Sequence, residues 1–151
     1  MVYGFIGLGN MASAILRGMA ASGAFADDTL CGFNRSEGKT LALWHEIGLV
    51  PCADAAAVAQ MADVVVLAVK PQMLPDVLPL VTPEMTQDKL LVTIAAGKPT
   101  SYYEAQLPEP PCVLDLRDRN ELLLSRAVAR RDPARARRDF ERAARPVGGA
   151  F

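Results

Sequence analysis

Over residues 1–107, short continuous apolar runs alternate with stretches in which apolar residues return every three or four positions. The runs Val2–Ile6, Thr29–Phe33, 49–52, 63–69 and 90–96 predict five strands. The run Asp63-Val-Val-Val-Leu-Ala-Val69 is the clearest. It is apolar without alternation and rich in β-branched residues, as a parallel strand covered on both faces must be. Between the runs, Ile15, Leu16 and Met19 fall at helical spacing, so residues 12–22 predict a first helix that Gly23 can end. Ser36 is placed to cap a second helix, through Leu41, Trp44 and Ile47 to Gly48, and Asp54 to cap an alanine-rich third over Ala55–Met61. Residues 72–81 predict a fourth helix that Pro75 and Pro79 should kink or break, and 99–107 a short fifth. Strand and helix thus alternate five times. That pattern specifies an α/β fold of Rossmann type, a doubly wound, mostly parallel sheet with helices on both faces and right-handed crossovers. In such sheets a ligand sits outside the carboxyl ends of the strands, where the strand order reverses.

The first strand runs into Gly7-x-Gly9-x-x-Ala12 and then a helix. A glycine at the first position lets the chain turn sharply off the strand, and one at the second lets the backbone approach a pyrophosphate. The third small residue lets helix and strand pack closely. The unpaired N–H groups and positive dipole end of the helix then face the phosphates. Gly-x-Gly-x-x-Ala alone is a weak signal, but here the strand before it and the helix after it supply the context the motif requires. Ile6, Gly7, Leu8, Gly9, Asn10, Met11 and Ala12 are therefore candidate cofactor-binding residues.

The second strand ends in Asn34-Arg35-Ser36, with no acid before Glu37. A site selecting NAD places a carboxylate there to bond the ribose hydroxyls, whereas an arginine accommodates the 2′-phosphate of NADP. Asn34 can bond the ribose or phosphate, Arg35 brings a guanidinium, and Ser36 offers a hydroxyl at a helix N-terminus. This chemistry favours NADP (NADPH), with NAD the weaker alternative. A plain turn and cap with a solvated arginine would use the same three residues.

Composition narrows the classes. A chain of 151 residues is one domain by size, and a net charge of −1 with 51% apolar residues calls for neither nucleic acid nor a membrane. The apolar runs are too short to span a bilayer, and the first residues lack a basic segment and a cleavage site, so a cytoplasmic location is expected. Cys31, Cys52 and Cys112 have neither zinc-ligand spacing nor the pairing of a disulfide framework, and read as small buried hydrophobes. No metal cluster accompanies His45, which lies mid-helix and reads as a packing or surface residue. The charge pattern changes near Pro110-Pro111. Residues 1–111 carry eleven acids and six bases, whereas residues 112–151 carry six acids and ten arginines with no lysine. The first part reads as the dinucleotide-binding domain. The second reads as a divergent Arg-rich segment, a sixth strand at 112–116 followed by a helical pattern. Asp and Glu interleave the arginines and no aromatic platform is present, so a nucleic-acid patch is disfavoured.

Four segments carry a resemblance: G-F-I-G-L-G-N-M-A-S-A-I-L-R-G (4–18), F-N-R-S (33–36), A-D-V-V-V-L-A-V-K-P-Q (62–72) and T-I-A-A-G-K (93–98). In order and spacing the chain resembles, across residues 3–111, the N-terminal domain of pyrroline-5-carboxylate reductase, the enzyme of the last step of proline biosynthesis. The resemblance implies NADPH bound by residues 6–11, by Asn34, Arg35 and Ser36, and by Ala68, Val69, Lys70 and Pro71 near the nicotinamide. It implies hydride delivery to the C=N carbon of 1-pyrroline-5-carboxylate, a small-molecule imine, giving L-proline. A protonated imine is already electrophilic, so no acid-base triad is expected and no catalytic residue is assigned. Lys70 is expected to line the site through its backbone.

The resemblance stops after residue 111. The family carries Met-Pro-Asn-Thr-Pro after its sixth strand, where this chain reads Cys112-Val-Leu-Asp-Leu-Arg-Asp-Arg-Asn-Glu121. The family also continues into an all-helical second domain, through which it oligomerises, and the sequence stops short of it at Phe151. The expectation is a truncated or frame-disrupted member whose own activity is doubtful. The alternatives are a non-catalytic NADP(H)-binding remnant, or another NADP-dependent oxidoreductase of the β-hydroxyacid dehydrogenase or F420-dependent NADP reductase type.

Overall fold

The structure, a computed structural model, describes residues 1–23, 25–94, 98–107 and 112–115. The chain runs β1 (Val2–Ile6), α1 (Asn10–Ser22), β2 (Thr29–Phe33), α2 (Glu37–Ile47), β3 (Val50–Pro51), α3 (Ala55–Met61) and β4 (Val64–Leu67). A 3₁₀ turn (Pro71–Met73) leads into α4 (Leu74–Val81) and a second 3₁₀ turn (Thr82–Glu84) follows it. β5 (Leu90–Thr93), α5 (Thr100–Glu104) and β6 (Cys112–Asp115) complete the order. The strands form one six-stranded sheet in the order β3-β2-β1-β4-β5-β6. Every pairing is parallel. The doubly wound Rossmann-type architecture expected from the alternation is the one observed, and its strand order reverses between β1 and β4.

Period-two alternation divides the core between the two faces of the sheet. Tyr3, Phe5, Val64, Val66 and Val92 pack with Ile15 and Leu16 of α1 and Leu43 of α2. Ile6, Val65, Leu67 and Leu91 pack on the other face with Val58 of α3, Leu74 and Leu78 of α4, and Tyr103 of α5. This explains why 64–67 reads as uninterrupted apolar sequence: all four residues are buried, two to each face. Tyr3 also meets Phe25 edge to face at 5.2 Å between ring centroids, closing the end of the core remote from the strand carboxyl ends.

The element boundaries depart from expectation where tertiary pairing decides them. β4 stops at Leu67 and does not continue to residue 69, because its neighbours end at the same level: Ile6 pairs with Leu67, and Leu67 with Thr93. Ala68 still donates to the Ile6 carbonyl at 2.8 Å, and the chain then leaves the sheet. β5 likewise closes at Thr93, and β3 is only Val50–Pro51. α1 begins at Asn10, two residues before the expected Ala12, and ends with Gly23 in the left-handed region. Ser36 stands at the N-cap of α2, but its side chain makes no capping bond, whereas the Asp54 carboxylate accepts from the Ala57 N–H at 2.7 Å. The expected break in 72–81 falls at the junction of the 3₁₀ turn and α4, and α4 itself continues through Pro79. Pro75 lies in the first turn, where its missing N–H has no helical partner to lose. Pro79 leaves only the Pro75 carbonyl unpaired, and both prolines are exposed, so water can serve it. The fifth helix is confined to Thr100–Glu104. Of the Arg-rich segment, the strand expected at 112–116 is present as Cys112–Asp115, and the helical pattern beyond it lies outside the described residues.

Gly4 shows how tightly α3 sits on the sheet. A Cβ at Gly4 would lie 2.6 Å from Val58 Cγ1 and 2.7 Å from Ala62 Cβ. The Lys89 ammonium holds the far end of that helix by donating to the Ala59 and Gln60 carbonyls. Gly4→Ala is expected to lower unfolding free energy by about 1–3 kcal/mol through overpacking. Urea titration should show a lower midpoint with an unchanged slope, and an unchanged midpoint would contradict this packing.

Candidate dinucleotide site

The loops after β1, β2 and β4 meet at one end of the sheet. Gly7 turns the chain off β1 with φ +93°, and its N–H donates to the Phe33 carbonyl at 2.9 Å. A Cβ at Gly7 would stand 2.7 Å from the Ala68 carbonyl oxygen and 3.1 Å from Val69 Cγ1, so the first loop lies directly against the third. Leu8 is fully buried and anchors the loop to the core. Its N–H donates to Asn34 Oδ1 at 3.1 Å, and its carbonyl accepts from the buried Ser13 hydroxyl at 3.1 Å. Gly9 is the N-cap of α1, with ordinary extended backbone, and a Cβ built there meets nothing within 4 Å.

That empty space fronts the N-terminus of α1, whose first-turn N–H groups have no partners inside the helix. The first turn carries no acid and no side chain caps it. Donors, dipole and free approach therefore fit an anionic group such as a pyrophosphate. Asn10 and Met11 are exposed beside this opening, while Ala12 turns its methyl into the core. Ile6 is likewise buried, its side chain in the core.

In the second loop the Asn34 amide also donates to the Ser36 carbonyl at 3.2 Å. Arg35 is exposed, and its Nη1 reaches Met73 Sδ at 3.7 Å across the mouth of the crevice. The Ser36 hydroxyl is exposed at the N-terminus of α2. In the third loop Ala68 and Val69 are half-buried, Lys70 is exposed, and Pro71 opens the 3₁₀ turn, with the Lys70 carbonyl accepting from the Met73 N–H at 2.9 Å. Thus the structure brings Gly7, Leu8, Gly9, Asn34, Arg35, Ala68 and Val69 to one end of the sheet. Two residues that the motifs do not mark also touch these loops, Ser13 and Met73. Ser13 had a signal in hindsight, a small polar residue in the first turn of α1. Met73 had none, because its role depends on where the 3₁₀ turn sets it.

The other titratable candidates lie elsewhere. His45 is exposed on α2 against the Trp44 ring. Among the described residues no three His, Cys, Asp or Glu side chains are grouped to hold a metal ion, and no helix is long and apolar enough to cross a membrane. Cys31 and Cys52 are free thiols.

A sequence profile for the family described as NADP oxidoreductase, coenzyme F420-dependent, matches residues 2–97. The chain belongs to this family. The pyrroline-5-carboxylate reductase of Escherichia coli is 42% identical over 94 residues, an alignment covering 62% of this chain and 35% of that protein. The solved pyrroline-5-carboxylate reductase of Coxiella burnetii superposes with a TM-score of 0.68 at 32% identity, over 75% of this chain and 42% of that one. The Plasmodium falciparum pyrroline carboxylate reductase, solved with NADP bound, shares the fold with a TM-score of 0.62 at 24% identity, over 76% and 41% of the two chains. The matched region is the N-terminal domain of pyrroline-5-carboxylate reductases. The chain thus spans about two fifths of the length of these relatives.

Burial, and the neighbouring Cys52 thiol, push the Cys31 thiol up from its ordinary value near 9 to about 12. Alkylation of the folded protein at pH 8 is therefore expected to modify Cys52 well before Cys31, read by peptide mass mapping. Because the folded state holds the Cys31 proton more tightly than the unfolded chain, this group's contribution to stability is intact below pH 9. It is lost as pH rises towards about 12.

Proposed function

We propose that residues 1–111 form the NADP(H)-binding half of a pyrroline-5-carboxylate reductase, the enzyme that reduces 1-pyrroline-5-carboxylate to L-proline in proline biosynthesis. One observation carries the reading: the open, acid-free approach to the α1 N-terminus at Gly9, beside a second loop that presents Arg35 and no carboxylate before Glu37. Relatives named as pyrroline-5-carboxylate reductases, one of them titled as binding NADP, support it.

In this reading the backbone from Ile6 to Ala12 receives the pyrophosphate, with the N–H groups of Gly9, Asn10 and Met11 as donors. Arg35 and Ser36 receive the 2′-phosphate, the guanidinium through charge-assisted bonds, and Asn34 lies between these two sets. Ala68, Val69, Lys70 and Pro71 border the nicotinamide half through backbone and side-chain packing. When bound, the reduced nicotinamide would supply a hydride to the carbon of an imine already protonated on nitrogen, which leaves the neutral amine. The residues of this chain bind and orient; they donate no proton in the step, and the apolar shoulder of Val69 helps exclude water. The reading places the protein in the cytoplasm, with a small-molecule imine as substrate and assembly through the helical domain of the family. A second reading, binding without turnover, is favoured by residues 112–121, which lack the Met-Pro-Asn-Thr-Pro segment that resemblance assigns to the substrate side.

Titration of NADPH fluorescence, with an assay of imine-dependent NADPH oxidation, tests both. Binding with turnover supports the first, binding alone the second, and no binding of NADPH or NADH sinks both. Gly9→Val is expected to fold, since its Cβ is unobstructed, with stability lowered by about 1 kcal/mol at most for the poorer N-cap, yet to lose at least tenfold in affinity by filling the phosphate approach. Arg35→Ala should weaken NADPH by roughly ten- to hundredfold, the worth of hydrogen bonds to a charged group, and leave NADH within about twofold. Equal losses for the two nucleotides would contradict the 2′-phosphate assignment.

A further inference from the structure

We infer that Asn34 is a positioning residue of this site, acting on the cofactor through the main chain at Leu8 and not as a ligand of the cofactor itself. The inference rests on the proposed dinucleotide site. Leu8 is the last residue before the open approach at Gly9, and the main chain is held on both sides of its Cα. Asn34 Oδ1 accepts its N–H at 3.1 Å, and the Ser13 hydroxyl donates to its carbonyl at 3.1 Å. The Leu8 side chain is fully buried, which removes the remaining freedom of that residue. Its orientation fixes where the next donors of α1 point.

Asn34 uses its other end at the same time, with Nδ2 donating to the Ser36 carbonyl at 3.2 Å. The backbone bond from Gly7 to the Phe33 carbonyl, at 2.9 Å, runs beside it, so the first two loops are tied together twice, once by main chain and once by the Asn34 side chain. The partners settle which end of the amide is which: an N–H faces one end and a carbonyl the other. Asparagine accepts at one end and donates at the other while carrying no charge. Aspartate would keep the bond to Leu8, lose the one to Ser36, and put a negative charge between two loops that must receive phosphates. The residue at the end of β2, where a ribose-binding acid stands in NAD-selective sites, is here committed to the protein.

The test measures NADPH and NADH affinity by fluorescence titration for the wild type, Asn34→Ala and Asn34→Asp. It also measures amide hydrogen exchange at Leu8 in the nucleotide-free proteins. Asn34→Ala should weaken both nucleotides by the same factor, about tenfold, and speed Leu8 exchange about tenfold, the scale of one net hydrogen bond. Asn34→Asp should restore slow exchange at Leu8 and bring NADH back to within about threefold of wild type, while NADPH stays at least tenfold weaker. A role in overall stability alone would not separate the two nucleotides in this way. The inference is overturned if Asn34→Ala weakens NADPH only, or weakens both with Leu8 exchange unchanged, since either marks a direct ligand. If the wild type binds neither nucleotide, the proposed function fails, and the Asn34 latch is then judged by exchange alone: unchanged Leu8 exchange in Asn34→Ala, or none restored in Asn34→Asp, overturns it.

Discussion

The parallel pairing of β1 with β2 on one side and β4 on the other sets the geometry of the whole domain. Ile6, the last residue of β1, is paired with both Phe33 and Leu67, and Leu67 with Thr93. The first, second and fourth strands therefore end on one level, and so does the fifth, and each chain must leave the sheet there. Because strand order reverses between β1 and β4, the crossover after one goes to the opposite face from the crossover after the other, and a crevice opens between them. A slip of one residue in either pairing would exchange the buried faces of β1 and also misalign the loops. Core and site are thus fixed by the same hydrogen-bond ladder.

What enters that crevice is governed by charge. A parallel sheet flanked by helices points helix N-termini at this end, so partial positive charge gathers there without any basic side chain. α1 keeps its first turn free of acids, and Arg35 and Lys70 are exposed at the rim. Glu37, which follows the second loop, begins α2 and is exposed. For an anion these contributions add. For an NAD-type ribose, the carboxylate that would receive its hydroxyls is absent from the end of β2.

The fold was legible because its signals are local and redundant: continuous apolar runs, helical periodicity, Asp54 as a cap and Gly23 as a stop. Boundaries were less legible because they are tertiary. Nothing in Ala68 and Val69 says that their neighbours have already ended, and nothing in Ser36 says that its hydroxyl goes unused at the cap. Pro79 shows the reverse, a breaker that a short helix tolerates on its exposed side. Within the site, glycine spacing and Asn-Arg-Ser could be read directly. The partners could not: that the Asn34 amide is spent on Leu8 and Ser36 depends on two loops meeting, and the Arg35 contact with Met73 depends on a 3₁₀ turn.

Gly7 and Gly9 show why a glycine motif is an ambiguous signal when read alone. Gly7 is demanded by the fold: its φ is positive, and the Ala68 carbonyl occupies the space of any side chain. Such a glycine would be kept in a protein that binds nothing. Gly9 has ordinary backbone and open space around its missing Cβ, so neither strain nor packing within the chain requires it to be small. Its open side lies beside the uncapped first turn of α1, where the proposed cofactor would approach. Of the two, Gly9 is the stronger evidence for a ligand.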